Sequence, residues 1–119
     1  MERDDVMAWV GAYVQAWRSA DVSAVPTLFT EDVAYATSPY AAPMVGHDAI
    51  ADFWIDDDLQ FVVDAEPVAV DGRAAVVRLH VSYTGPPAQE WRDLWILRFA
   101  PDGRVEAFEE WPLAPRRAH

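Results

Sequence analysis

Not one of the 119 residues is a cysteine. That absence removes disulfide bonds, thiolate nucleophiles and cysteine-ligated zinc together, so the fold has to stand on packing alone. Basic residues are scarce too: 9 Lys and Arg stand against 20 Asp and Glu, a formal net charge of -11. Such a surface repels phosphate backbones and anionic bilayers, which argues against nucleic acid and membranes as partners. No apolar run approaches the length of a membrane span, and the acidic start MERDDVMAWV lacks a basic segment followed by an apolar stretch. A soluble, cytoplasmic protein is expected. The histidines, at 47, 80 and 119, have no ligand spacing, and neither a glycine-rich phosphate loop nor a serine-elbow motif occurs. No metal site and no cofactor are therefore expected.

What is abundant is large apolar surface. Hydrophobic residues make up 52% of the chain and aromatics 13%, with six tryptophans, which is more than a disordered or fibrous chain carries. A chain of this length buries roughly two-thirds of its unfolded surface, enough for one core. One domain is expected over residues 1–119, with a short basic tail at 114–119.

The pattern runs from helices to strands. From Asp4 or Asp5 as N-cap, Val6, Trp9, Val10, Tyr13, Val14 and Trp17 recur at helical steps, predicting an amphipathic helix that ends near Ala20. A second short helix is expected over Val22 to Leu28, with Ser23 as cap and Pro26 in its first turn. Val33 to Thr37 reads as a short strand and SPYAAPMVG as an ordered loop. A third helix begins at His47 or Asp48, turns Ile50, Phe53 and Trp54 inward, and stops at Asp56, Asp57 and Asp58, whose charge opposes the helix dipole.

Beyond Phe61 the period becomes two. Asp71-Gly72 is a hairpin turn, and Ala75, Val77, Leu79, Val81 and Tyr83 alternate with Val76, Arg78, His80 and Ser82. The next strand, QEWRDLWILRF, puts Trp91, Asp93, Trp95, Leu97 and Phe99 on one face. A carboxylate in such a row is costly to bury ionised, so Asp93 is either a solvated or arginine-paired residue at a rim or a tuned acid/base. Pro101-Asp102-Gly103 turns the chain into a last strand, Val105 to Leu113. Helices followed by an antiparallel meander mean an α+β fold with helices covering one face of a curved sheet.

Three stretches in this order, AYVQAWRSADVSAVPTLFTEDVAY, PYAAPMVGHDAIADFW and LWILRFAPDGRVEAFEEW, resemble the SnoaL-like polyketide cyclase and ketosteroid isomerase group of the nuclear-transport-factor-like superfamily. The resemblance implies a conical barrel: a strongly bent, mostly antiparallel sheet wrapped over three N-terminal helices around a mostly apolar pocket. It also implies a homodimer formed through the outer sheet face, where Arg78, His80, Leu94, Ile96 and Arg98 mix apolar and cationic groups. Members of that group include isomerases, cyclases, dehydratases, epoxide hydrolases and non-catalytic binding proteins, so fold does not decide function.

Carried over residue by residue, the resemblance is partial. Tyr13 falls where ketosteroid isomerases place the tyrosine that hydrogen-bonds the substrate oxyanion. Their general-base aspartate corresponds to Thr37 or Ser38, neither of which can abstract a carbon-bound proton. Their second, protonated aspartate aligns with Trp95, whose inward direction Asp93 shares by parity. Desolvation between Trp91 and Trp95 would raise the Asp93 pKa as a general acid/base requires.

Glu109 and Glu110 are the other carboxylates to weigh, since alternation sends one inward and the other out. A gapless alignment favours Glu110 and Phe108 inward, the apolar set Val105, Ala107 and Trp111 favours Glu109, and the reading leans to Glu110. Candidate catalytic residues are thus Asp93, Tyr13 and Glu110. Trp17, Tyr35, Tyr40, Trp54, Tyr83, Trp91, Trp95, Phe108 and Trp111 are candidate substrate-binding residues, suiting a flat hydrophobic ligand. His80 reads as an outer-face or dimer-interface residue and His47 as a helix start.

Two classes of function remain. One is an isomerase, cyclase or dehydratase acting by proton transfer on a hydrophobic ketone-type substrate. The other is a ligand-binding or dimeric interaction module whose aromatics hold a ligand or fill the cone.

Overall fold

The computed structural model describes residues 1–53, 61–83 and 89–114. Helix α1 (Arg3–Ser19) buries Val6, Trp9, Val10 and Tyr13 of the expected stripe together with Ala16, while Val14 and Trp17 are half-buried. Its N-cap is Glu2 rather than Asp4 or Asp5. Asp5 instead reaches back and accepts the Glu2 backbone N–H at 3.0 Å, where its charge also suits the helix N-terminus. The helix closes on Ala20, at φ 53 in the left-handed region, with the Ala20 N–H donating to the Trp17 carbonyl at 3.1 Å.

The second helical segment is two pieces, a 3-10 turn (Val22–Ala24) and α2 (Val25–Leu28). Asp21, not Ser23, is the cap, its side chain accepting the Ser23 N–H at 3.1 Å. Pro26 has no N–H to bond back across the junction, so one continuous helix is interrupted there.

Strand β1 (Phe29–Ala36) starts earlier than expected because Phe29 already pairs with Val105. The proline-containing loop hides a two-residue strand, β2 (Met44–Val45), antiparallel to β1. Helix α3 (His47–Phe53) buries Ile50 completely but leaves Phe53 49% exposed, which corrects its inward assignment, although its ring lies 5.8 Å from that of Tyr35 between centroids. Trp54 and Asp56 to Asp58 lie outside the described residues.

Strands β3 (Phe61–Asp71), β4 (Ala74–Tyr83), β5 (Gln89–Phe99) and β6 (Val105–Leu113) form the antiparallel meander. The chain then returns beside β1, parallel to it, giving one six-stranded mixed sheet in the order β2-β1-β6-β5-β4-β3. The sheet does not close: β2 at one edge is only two residues long, and α1 packs against β3 at the other. The result is an α+β cone of three helices on a sheet rather than a sealed barrel.

The core fills the space between α1 and the sheet. Trp9 stands edge-on to Phe29 and Phe99, at 5.6 and 5.9 Å between centroids, and its indole N–H donates to the Leu28 carbonyl at 3.0 Å. A buried indole thus meets the usual condition that its polar end find a partner. Among the described residues no helix is long and apolar enough to cross a membrane.

Candidate active site

Cross-strand register decides which side chains share the inner face, because residues directly opposite each other in a ladder project to the same side. Asp93 faces Leu79 on β4, which is 1% exposed, and Trp95 faces Val77, which is fully buried. Asp93 is itself 6% exposed, the only buried charged residue among those described. Across β5 and β6, Trp95 pairs with Glu110, while Ile96 pairs with Glu109. Glu110 therefore shares the inner face with Asp93 and Trp95, and Glu109 lies outside.

The competing apolar pattern misled for a definite reason. A register shift between Arg98 and Phe99 lets Arg98 pair with Ala107 but Phe99 with Val105, so Glu106 is an extra residue. Such a bulge resets the alternation. Val105 and Phe108 are both buried although their parities differ, and Ala107 and Trp111 go outward.

Four polar groups meet on this inner face. Burial, then a hydrogen bond to Asp93 and the negative charge of Asp93, push the Glu110 carboxyl up to about 8; the Trp95 indole N–H favours the charged form but does not offset them. That N–H lies near Glu110 without making a hydrogen bond of proper geometry: Trp95 Nε1 and Asp93 Oδ1 are both buried with no hydrogen-bond partner. The half-buried Tyr83 phenol is shifted upward by burial and then by the charges of Glu110 and Asp93, which brings it into the same group. At neutral pH the pair retains a proton on Glu110 beside the charge of Asp93. Two carboxyl groups thus stand in contact, and the Glu110 one holds its proton well above the ordinary glutamate range.

Deeper in the cone lies an aromatic cluster. The Tyr13 and Tyr35 hydroxyls are 2.7 Å apart and hydrogen-bonded, Tyr35 stacks on Phe108 at 4.3 Å and 1°, and the Tyr13 ring stands 4.7 Å from Trp95. Tyr13, Tyr35, Trp95 and Phe108 are all at most 4% exposed. Nothing in the sequence signals the Tyr13 to Tyr35 bond, which joins residues far apart in the chain.

The remaining candidates divide. Trp17 is half-buried and stacks on Phe61 at 4.3 Å, and half-buried Trp91 faces Val81 on the inner side. Tyr40, a candidate substrate-binding residue, is instead 98% exposed in the loop before β2; the turn made by the Ala41 N–H and the Ser38 carbonyl, 3.2 Å apart, carries it outward. Trp111 is likewise corrected: it pairs with Leu94 on the outer face, is 39% exposed, and donates its indole N–H to Glu109 at 2.6 Å. Trp54 is outside the described residues.

The histidines stand apart from this site. His47 Nε2 bonds the Phe29 carbonyl at 2.8 Å, tying the start of α3 to β1, and His80 Nε2 is 2.8 Å from Glu90 on the outer face. That face also holds a groove of about 370 Å³ among Asp64, Glu66, Arg78, His80 and Arg92. Strand alternation sets Asp64 and Glu66 apart from the inner residues, but of this row only Arg78 and His80 are expected at an interface, and Arg92 is not singled out. Among the described residues no cluster of three metal-ligating side chains occurs.

Comparison with known proteins bears on this geometry. Residues 10–108 match the family model described as the SnoaL-like domain. An LEH-like epoxide hydrolase of M. tuberculosis superposes with a TM-score of 0.74 at 16% identity, over 95% of this chain and 86% of that one. SalBIII, an epoxide hydrolase/cyclase-like enzyme in pyran ring formation in polyether salinomycin, superposes with a TM-score of 0.71 at 16% identity, over 90% of this chain and 89% of that one. At such identity the likeness is one of fold. No curated protein matches the sequence.

Proposed function

This chain belongs to the SnoaL-like domain family, and we propose that it is a cofactor-independent acid–base catalyst acting on a small hydrophobic substrate of ketone type. The contact between Asp93 and Glu110 on the inner face carries this reading: the pair holds a proton on Glu110 beside the charge of Asp93. In an isomerase, cyclase or dehydratase step, Asp93 accepts a proton from the substrate while Glu110 donates one to its oxygen. Tyr13 keeps the role of donor to developing negative charge that the resemblance implies, with Tyr35 fixing its hydroxyl. The structural neighbours are named for epoxide hydrolysis and for pyran ring formation, which supports a small-molecule reaction on this fold.

The same reading takes the outer sheet face as a two-fold interface. Arg78, His80, Leu94, Ile96 and Arg98 share it, and a surface that alternates cations, anions and apolar groups can complement itself. A cytoplasmic location fits a fold without cysteine.

A second reading has one observation in its favour. Trp9, Tyr13, Trp95 and Phe108 fill the deep end of the cone with their own rings, as a binding or interaction module would. Deuterium exchange separates the two. Incubated in heavy water with indanone, an enolising catalyst speeds exchange of the protons next to the carbonyl, and Asp93→Asn removes that acceleration. Indanone that binds but exchanges no faster than in buffer assigns the module instead.

A further inference from the structure

Two buried polar groups on the inner face of β5 lack hydrogen-bond partners. Asp93 Oδ1 is an acceptor and Trp95 Nε1 a donor, and their residues are 6% and 2% exposed. Buried polar groups in folded proteins are nearly always hydrogen-bonded, because each one left unpaired costs free energy. An orphaned donor and an orphaned acceptor, two positions apart on one strand face, are complementary to a ligand that offers both functions. Their shared neighbour confirms the convergence: both groups act on the Glu110 carboxyl, which stands directly across from Trp95.

The chemical classes of oxygen ligand can be told apart here. A carbonyl or an ether oxygen accepts from an indole N–H but offers Asp93 nothing, leaving its oxygen as costly as before. An ammonium group satisfies Asp93 but repels the indole donor. A hydroxyl does both, donating its proton to the carboxylate and accepting from the N–H. We propose that Asp93 Oδ1 and Trp95 Nε1 form a receptor for one hydroxyl group, so that the substrate carries a hydroxyl, which Asp93 tells from a carbonyl and Trp95 from an ammonium group. This rests on the reading of the inner face as a small-molecule site. It narrows the ketone-type substrate to one bearing an alcohol as well. Trp95 thereby has a use beyond packing: its ring closes the aromatic cluster while its polar edge reads the ligand.

The hydroxyl could belong to a substrate or to a bound water, and the test separates them. Indanol and indanone are titrated into the wild-type protein while the indole N–H signals are followed by proton–nitrogen correlation spectroscopy, with Trp95→Phe identifying the Trp95 signal. Indanol is expected to move that signal and to bind about tenfold or more tightly than indanone, since the ketone leaves a buried acceptor unpaired. In Trp95→Phe both affinities should fall several-fold, since hydroxyl and carbonyl alike accept from the indole N–H, while the preference for the alcohol, which Asp93 sets, remains. Trp95 is a core residue, so the wild-type affinity ratio is the primary reading and needs no variant. Equal affinities, or no binding of either compound, overturn the proposal. A long-lived water seen at the Trp95 N–H with indanol bound also overturns it, by giving the site to water. Deuterium exchange from indanone reports the acid–base reading separately, so exchange without alcohol preference sinks the hydroxyl receptor alone.

Discussion

Glu110 stands directly opposite Trp95 in the β5–β6 ladder and hydrogen-bonds to Asp93, two residues earlier on β5. The chain places two carboxyl groups and an indole donor on one inner face by nothing more than antiparallel register. Each consequence can be measured.

Stability should fall as pH rises toward 8. The Glu110 carboxyl is raised in the fold from an ordinary 4.5 to about 8, so the native state holds its proton over a range in which the unfolded chain has lost it. Its contribution is complete below about 4.5 and is lost as pH passes through about 8. Glu110→Gln keeps the shape without the titration. Its thermal unfolding temperature should therefore vary less with pH than wild type between 5 and 8 on the pH scale, and should exceed wild type at the alkaline end by several degrees. Parallel curves for the two proteins would show that Glu110 titrates normally.

Turnover, once a substrate is in hand, should depend on both carboxyls. Asp93→Asn and Glu110→Gln should each lower kcat by about a hundredfold or more while KM stays within a few-fold, because each removes one partner of the proton transfer. Tyr13→Phe should cost a smaller factor, about tenfold. In wild type, kcat should decline as pH rises through about 8, where the Glu110 proton is lost. A kcat that is flat through that range would remove Glu110 as the acid.

The hydroxyl pair of Tyr13 and Tyr35 should show as coupling in stability. Tyr13→Phe, Tyr35→Phe and the double variant form a cycle whose interaction energy should be about 1 kcal/mol, the usual net worth of a buried neutral hydrogen bond. Denaturant unfolding of the four proteins measures it. Strict additivity would mean that the two hydroxyls do not depend on each other.

Ala20 gives a prediction away from the site. It closes α1 at φ 53, a conformation in which its Cβ crowds the backbone and glycine does not. Ala20→Gly should stabilise the fold by about 0.5–1 kcal/mol in denaturant unfolding, against the general cost of adding glycine.

The proposed two-fold contact is tested through Ile96, which is 38% exposed on the outer face. Light scattering at tens of micromolar, an order-of-magnitude choice for weak interfaces, should give twice the monomer mass for wild type and the monomer mass for Ile96→Glu. A wild-type monomer would end that part of the reading.

What the sequence determined by itself was whatever rests on local period. The α1 stripe, the β4 and β5 alternation and the inward direction of Asp93 follow from 3.6- and two-residue repeats, which each segment carries without reference to its neighbours. The tertiary structure decided what depends on how segments meet. Glu110 rather than Glu109 faces inward because a bulge at Glu106 resets the alternation, and only the pairing of Phe99 with Val105 reveals it. That reset also sends Trp111 outward, and the loop geometry does the same for Tyr40. The Tyr13 to Tyr35 bond, the parallel return of β6 beside β1 and the rise at Glu110 arise between residues remote in sequence. Burial and proximity are properties of the packed chain, and no periodicity encodes them.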